Sequence, residues 1–176
     1  MLGPARRVAS FRGYTLLEIL IVVVLLGIAS AVVIPQVGST SVLRVQAAVR
    51  TLVADMTFAQ SDALARQQTR AIVFDVAGNT YAIVEVPGNT VEPTNNTMYT
   101  VNFNNSMKFH DARIAAAAFA AQPTLLFDEL GGPIDSPGST TPGAGGVVTI
   151  TGSGSVFDVT VEAYTGRVTV VRVSGP

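Results

Sequence analysis

Gly13-Tyr14-Thr15-Leu16-Leu17-Glu18 runs straight into ILIVVVLLGIASAVVI at residues 19–34, and this stretch decides how the rest of the chain is read. Residues 19–34 carry no charge, and 12 of the 16 are Leu, Ile or Val. A helix of that length covers about 24 Å, short of a hydrocarbon core of ~30 Å. Adding Tyr14–Leu17 at one end and continuing to Val37 at the other closes the gap. Twelve such side chains favour insertion by roughly 4–7 kcal/mol. An acid at the centre of a membrane helix costs about 2.5–3.5 kcal/mol, and one near the end costs less. Insertion therefore wins in spite of Glu18. The acid still needs explaining, because carboxylates are rarely kept in lipid without a partner. Arg6, Arg7 and Arg12 precede the run with no acid among them, which orients its amino end toward the cytoplasm.

Outside this segment the composition is that of one modest domain in a chain of 176 residues. There are no cysteines, so a disulfide framework, a thiolate metal site and a cysteine nucleophile are excluded. From Tyr14 onward there are 8 basic and 12 acidic residues, a balance that does not favour nucleic-acid binding.

Three fates are open to the amino terminus. Its basic start, apolar run and Ala29-Ser30-Ala31 fit a secretory signal peptide cleaved after Ala31, which would release a periplasmic β-domain protein. An unprocessed signal anchor is the second. Neither gives Gly13 or Glu18 a role. The third does: Gly13-Tyr14-Thr15-Leu16-Leu17-Glu18 resembles the processing site of type IV prepilins and pseudopilins, with Tyr14 in place of the commoner Phe. Glycine lets the backbone lie extended in a protease cleft. The resemblance implies that a prepilin peptidase cuts after Gly13 and N-methylates Tyr14. It also implies that Glu18, one helical turn away, pairs with the amino terminus of a neighbouring subunit. Such pairing relieves the cost of a lone carboxylate in lipid.

Beyond Pro35 the apolar period is helical. Val45, Val49, Leu52, Met56, Ala59 and Ala63 alternate steps of four and three and form one stripe, expected to pack on a globular head. This predicts one long helix from about Tyr14 to Gln67, kinked at Pro35. From Thr69 the period becomes two. Strands are expected at 70–74 and 81–86, joined by Ala77-Gly78-Asn79, and at 97–103, 125–127, 147–151, 157–163 and 168–173, the last pair closed by Tyr164-Thr165-Gly166-Arg167. Lys108-Phe109 is a further candidate strand, and 114–121 reads equally as short helix or strand. Pro87–Asn96 and Gly131–Gly146 read as surface loops.

The expected fold is α+β: a long amino-terminal helix on an antiparallel, pilin-like β head of about seven strands. The expected organisation is a cleaved basic leader at 1–13, a transmembrane helical segment at 14–37, its amphipathic continuation at 38–67 and an exported β-rich head at 68–176. Within the prepilin group the head resembles the GspH/FimT branch, through Phe58-Ala59-Gln60-Ser61-Asp62-Ala63, Leu126-Phe127-Asp128 with Gly131, and Val161 with Thr165-Gly166-Arg167-Val168. This implies a minor pseudopilin of a type II secretion pseudopilus or a minor pilin of a type IV pilus. Such a subunit would be single-pass in the inner membrane, in contact with lipid, prepilin peptidase and other pilin-like subunits.

No enzymatic constellation stands out, and no cofactor motif is present. His110 is the sole histidine, flanked by Lys108, Asp111 and Arg113 as on a solvated turn. Asp128, Glu129 and Asp135 could gather around a calcium ion but lack EF-hand spacing, and a solvated acidic loop is the stronger reading. Some FimT-like pilins bind DNA through a basic tail. Here only Arg167 and Arg172 follow Arg113, enough for a weak, salt-sensitive contact at most.

Overall fold

The computed structural model of the chain describes residues 13–33, 40–104 and 107–175. α1 (Leu16–Val33) stands as one unit, and everything from Thr40 onward forms a second. Pro35, the expected kink, lies outside the described residues.

α2 (Thr40–Arg66) is the spine of the second unit. The predicted stripe is the face it buries: Val45, Leu52, Met56, Ala59 and Ala63 are fully covered and Val49 nearly so. Ala48 joins them. α2 ends on Gln67, whose φ of 52° is left-handed, while the Gln68 amide caps the Ala63 carbonyl at 3.2 Å. This is the glycine-type helix stop made by a residue that does not advertise it.

Among the described residues, nine strands form two antiparallel sheets. One has the order β3 (Thr97–Asn102), β2 (Thr80–Glu85), β1 (Arg70–Asp75), β5 (Thr124–Phe127), β6 (Pro133–Ile134). The other runs β4 (Arg113–Phe119), β7 (Gly146–Gly152), β8 (Ser155–Val161), β9 (Val168–Ser174). α2 packs on β1 and β5 of the first sheet and on β7 and β8 of the second. Ile72, Phe74, Leu125, Val148, Ile150 and Val159 meet its stripe in one core. An aromatic row, Phe119–Phe74–Tyr81–Phe103–Phe109, ties the sheets together with centroid separations of 5.3–5.9 Å, the spacing of favourable ring pairs.

Two expectations need correction and one open reading is settled. Lys108-Phe109 is a turn, not a strand, and Phe109 is buried at the end of the aromatic row. Residues 113–119 are strand β4, because pairing with β7 settles what an alanine run leaves open. Gly131–Gly146 is not simply a surface loop. It contains β6, and Gly131, Pro133, Ile134, Gly143 and Gly145 are buried against the first sheet and its surroundings.

Candidate functional site

At the amino terminus the helix begins where the sequence motif ends. Thr15 caps α1: its side-chain oxygen accepts from the Glu18 amide at 3.2 Å, and its carbonyl accepts from the amides of Glu18 and Ile19. Gly13–Thr15 is therefore non-helical chain, and a Cβ added at Gly13 would meet nothing within 4 Å. Thr15-Leu16-Leu17-Glu18 also has the threonine-to-acid spacing of a capping box, and an acid in the first turn suits the helix dipole. Among the described residues no hydrogen bond joins the Glu18 carboxylate to the Thr15 amide, so only the helix dipole favours the acid there. It forms no ion pair among the described residues.

Every described side chain from Leu16 to Ser30 is exposed, and the apolar ones cover all sides of α1. A helix apolar all round demands lipid or other helices as its surroundings. Ser30 satisfies its hydroxyl locally on the Leu26 carbonyl at 2.7 Å. Ala29–Ala31, the alternative cleavage site, lies inside α1. No helix among the described residues is long and apolar enough to cross a membrane. The 18 residues of α1 span about 27 Å, and the apolar run continues into residues 34–37, outside those described.

In the second unit, the three loose motifs of the head converge on one point. The Gln60 amide donates to the Gly131 carbonyl at 2.7 Å and to the Thr165 carbonyl at 3.1 Å, joining α2 to the β5–β6 turn and the β8–β9 turn. Gly166 is required there: its φ is 65°, and a Cβ would come within 2.6 Å of the Gln60 nitrogen. Asp128 shapes the facing turn by accepting from the amides of Leu130 and Gly132 at 3.0 and 2.7 Å. Asp135 is likewise turned to the Ala144 amide, and among the described residues no three acidic, histidine or cysteine side chains gather as a metal site.

A buried charge lies at the end of α2, where sequence reasoning saw only the start of a strand. Arg70 is fully buried, and its Nε donates to Asp62 at 2.6 Å while Arg66 holds the other Asp62 oxygen at 3.0 Å. Burial pushes the Asp62 carboxyl up, but the hydrogen bonds and charges of Arg70 and Arg66 outweigh it and hold the group below its usual range. One terminal Arg70 nitrogen lies 3.6 Å from Glu85, beyond hydrogen-bond reach. Tyr81 donates to Asp55 at 2.5 Å, and burial followed by that bond pushes its hydroxyl up.

The two candidate DNA-contacting arginines stand apart in what they touch. Arg167 is paired with Glu162 at 2.5 Å, whereas Arg172 lies over the Phe157 ring at 5.9 Å. His110 is exposed on a turn, 3.9 Å from Asp111.

A helix packed on antiparallel sheets, with a glycine-threonine-acid junction ahead of an all-apolar helix, defines a pilin-like subunit. The family profile described as type II transport protein GspH matches residues 48–174, and the prokaryotic N-terminal methylation motif matches residues 9–34. The first match spans most of the chain, which therefore belongs to the GspH family of type II transport proteins. No curated protein matches. Among solved structures, the minor pseudopilin EpsH of the Vibrio cholerae type 2 secretion system is similar in fold, with a TM-score of 0.50 at 12% identity over 73% of this chain and 97% of that one. The type IV minor pilin FimU of Pseudomonas aeruginosa gives a TM-score of 0.48 at 15% identity, over 72% of this chain and 87% of that one. The chain is a structural subunit of the pseudopilus or pilus kind, from a family anchored in the inner membrane and assembled with other subunits.

Proposed function

We propose that this chain is a minor subunit of a type II secretion pseudopilus, cleaved between Gly13 and Tyr14 by a prepilin peptidase and N-methylated on Tyr14. The observation that carries this is the position of the helix start. Thr15 caps α1, so the Gly13–Tyr14 bond lies in extended-capable chain just ahead of it, and Glu18 lies in the first turn. Cleavage removes Arg6, Arg7 and Arg12 and leaves an ammonium about one turn from a carboxylate. In lipid both charges are costly alone, and pairing Glu18 with the amino terminus of an adjoining subunit relieves both. Residues 14–37 then cross the inner membrane once, with the head at 68–176 on the far side and residues 38–67 leading to it. The match of the head to the GspH family supports the secretion pseudopilus over a pilus.

The mature chain needs no catalytic group for this role. Two variants separate its steps. Gly13→Leu is expected to leave an uncleaved, membrane-bound precursor on immunoblots. Glu18→Ala is expected to mature normally but to be lost from sheared filaments. Normal maturation of Gly13→Leu would remove the processing proposal, and full incorporation of Glu18→Ala would remove the pairing proposal.

A further inference from the structure

Among the described residues the head has four sheet edges, formed by β3, β6, β4 and β9. β6 is two residues long, and the ladders of β3 and β4 each carry a register shift. The fourth, β9, is seven residues of mostly valine and threonine; its ladder with β8 is regular from Val168 to Arg172 and shifts register only beyond that, between Val156 and Phe157. Val170, Val171 and Val173 are 44, 56 and 58% exposed, and β9 carries no lysine or proline, its one charge being Arg172.

The alternation of the ladder shows which groups are open. The Glu162 amide donates to the Arg167 carbonyl at 2.9 Å, so Glu162 and Arg167 form a hydrogen-bonded pair. Stepping by two, Thr169 and Val171 also bond to β8, and Val168, Val170 and Arg172 turn their N–H and C=O groups to the free edge. The side chains of Val168, Val170 and Arg172 share the inner face of the sheet with Val161, Val159 and Phe157.

Beneath that face lies a groove of about 540 Å³, walled by Val49, Val53 and Ala54 of α2 and by Phe157 and Val170. Arg50 lines it, and Arg172 lies over Phe157 at its side. Neither arginine is ion-paired among the described residues, although Arg44, Arg66, Arg70 and Arg167 all are.

We infer that β9 and this groove are a docking site for an extended segment of another protein, added as a tenth strand. Its inward side chains would be apolar opposite Val168 and Val170, over the groove, and acidic opposite Arg172. Edge addition draws affinity from main-chain bonds and specificity from alternate side chains, and both requirements meet here. Charge decides against a second copy of this chain: Val168–Ser174 contains Arg172 and no acid, so β9 against β9 would leave the arginine of each copy uncompensated. The inference rests on the head's geometry alone and is independent of processing at Gly13.

The test uses the full-length chain in detergent micelles and a labelled synthetic peptide, Thr-Val-Thr-Val-Thr-Asp-Thr, against its twin with Lys for Asp. Fluorescence polarisation is expected to show the acidic peptide binding about tenfold tighter than the basic one. Val170→Pro removes one outward N–H and no bond to β8, and is expected to abolish binding. Arg172→Glu, a surface change that spares the core, is expected to reverse the preference. Equal binding of the two peptides, binding of neither, or no response to Arg172→Glu would overturn the inference. Self-association of the wild-type chain that Val170→Pro abolishes would overturn it too, by assigning the edge to a second copy.

Discussion

Gln60 holds the head together at one point, because its amide nitrogen bonds two turns that belong to different sheets. Its motif was legible in the sequence, but its bonds were not: Gly131 and Thr165 are 71 and 105 residues away. Gln60→Ala would leave two carbonyls at that junction without the donor. The expected cost is about 1–3 kcal/mol, read as a fall in the thermal midpoint of the head, with Gln60→Glu no better because it cannot donate. Arg70 was less legible still, since a charged residue opening a strand ordinarily faces water. Its partner Asp62 lies across the left-handed turn at Gln67, a helix stop that carries no glycine to mark it. The Asp62 carboxyl is held below its unfolded value of about 3.9. Such a group stabilises the fold fully above the unfolded value and loses that contribution as pH falls through the folded one. Denaturant midpoints of the wild type should therefore decline below about pH 4, with Asp62→Asn showing a flatter decline. At neutral pH Asp62→Asn should cost roughly 3 kcal/mol, because it strips a buried guanidinium of its charged partner.

At the scale of elements, α2 shows how far periodicity carries. Steps of four and three picked out six of the seven described residues the helix buries, all but Ala48, because that face meets the two sheets. Leu52→Ala, at a fully buried position, is expected to cost about 2–5 kcal/mol. Leu43→Ala, on the exposed side of the same helix, should stay within about 0.5 kcal/mol, and paired melts of the two variants check the assignment. Periodicity failed for 114–121, where alanine serves helix and strand alike. The strand is settled by β7, about thirty residues on, and by a turn in which Ala120 and Ala121 both take positive φ, 46° and 65°. Alanine rarely does so, and nothing local announces it. The start of α1 was legible as a motif, but Thr15 as its cap came from the structure.

For the whole molecule, the α+β class followed from the change of period at Thr69, while the strand order did not. β1 pairs with β5 across some fifty residues, and β4 joins the other sheet altogether. Such long-range pairings are set by side-chain faces that meet only after folding, as the aromatic row through both sheets illustrates. The amino-terminal signal is different in kind, because the proposed peptidase would read it as local sequence. That is why roles for Gly13, Tyr14 and Glu18 could be proposed from six residues, while the junction at Gln60 needed coordinates. The most direct measurement is the amino terminus of the mature protein, by Edman sequencing and intact mass, after expression in cells that hold a prepilin peptidase. N-methyl-tyrosine at Tyr14 is the predicted result. A chain beginning at Val32, or one retaining residues 1–13, would contradict it.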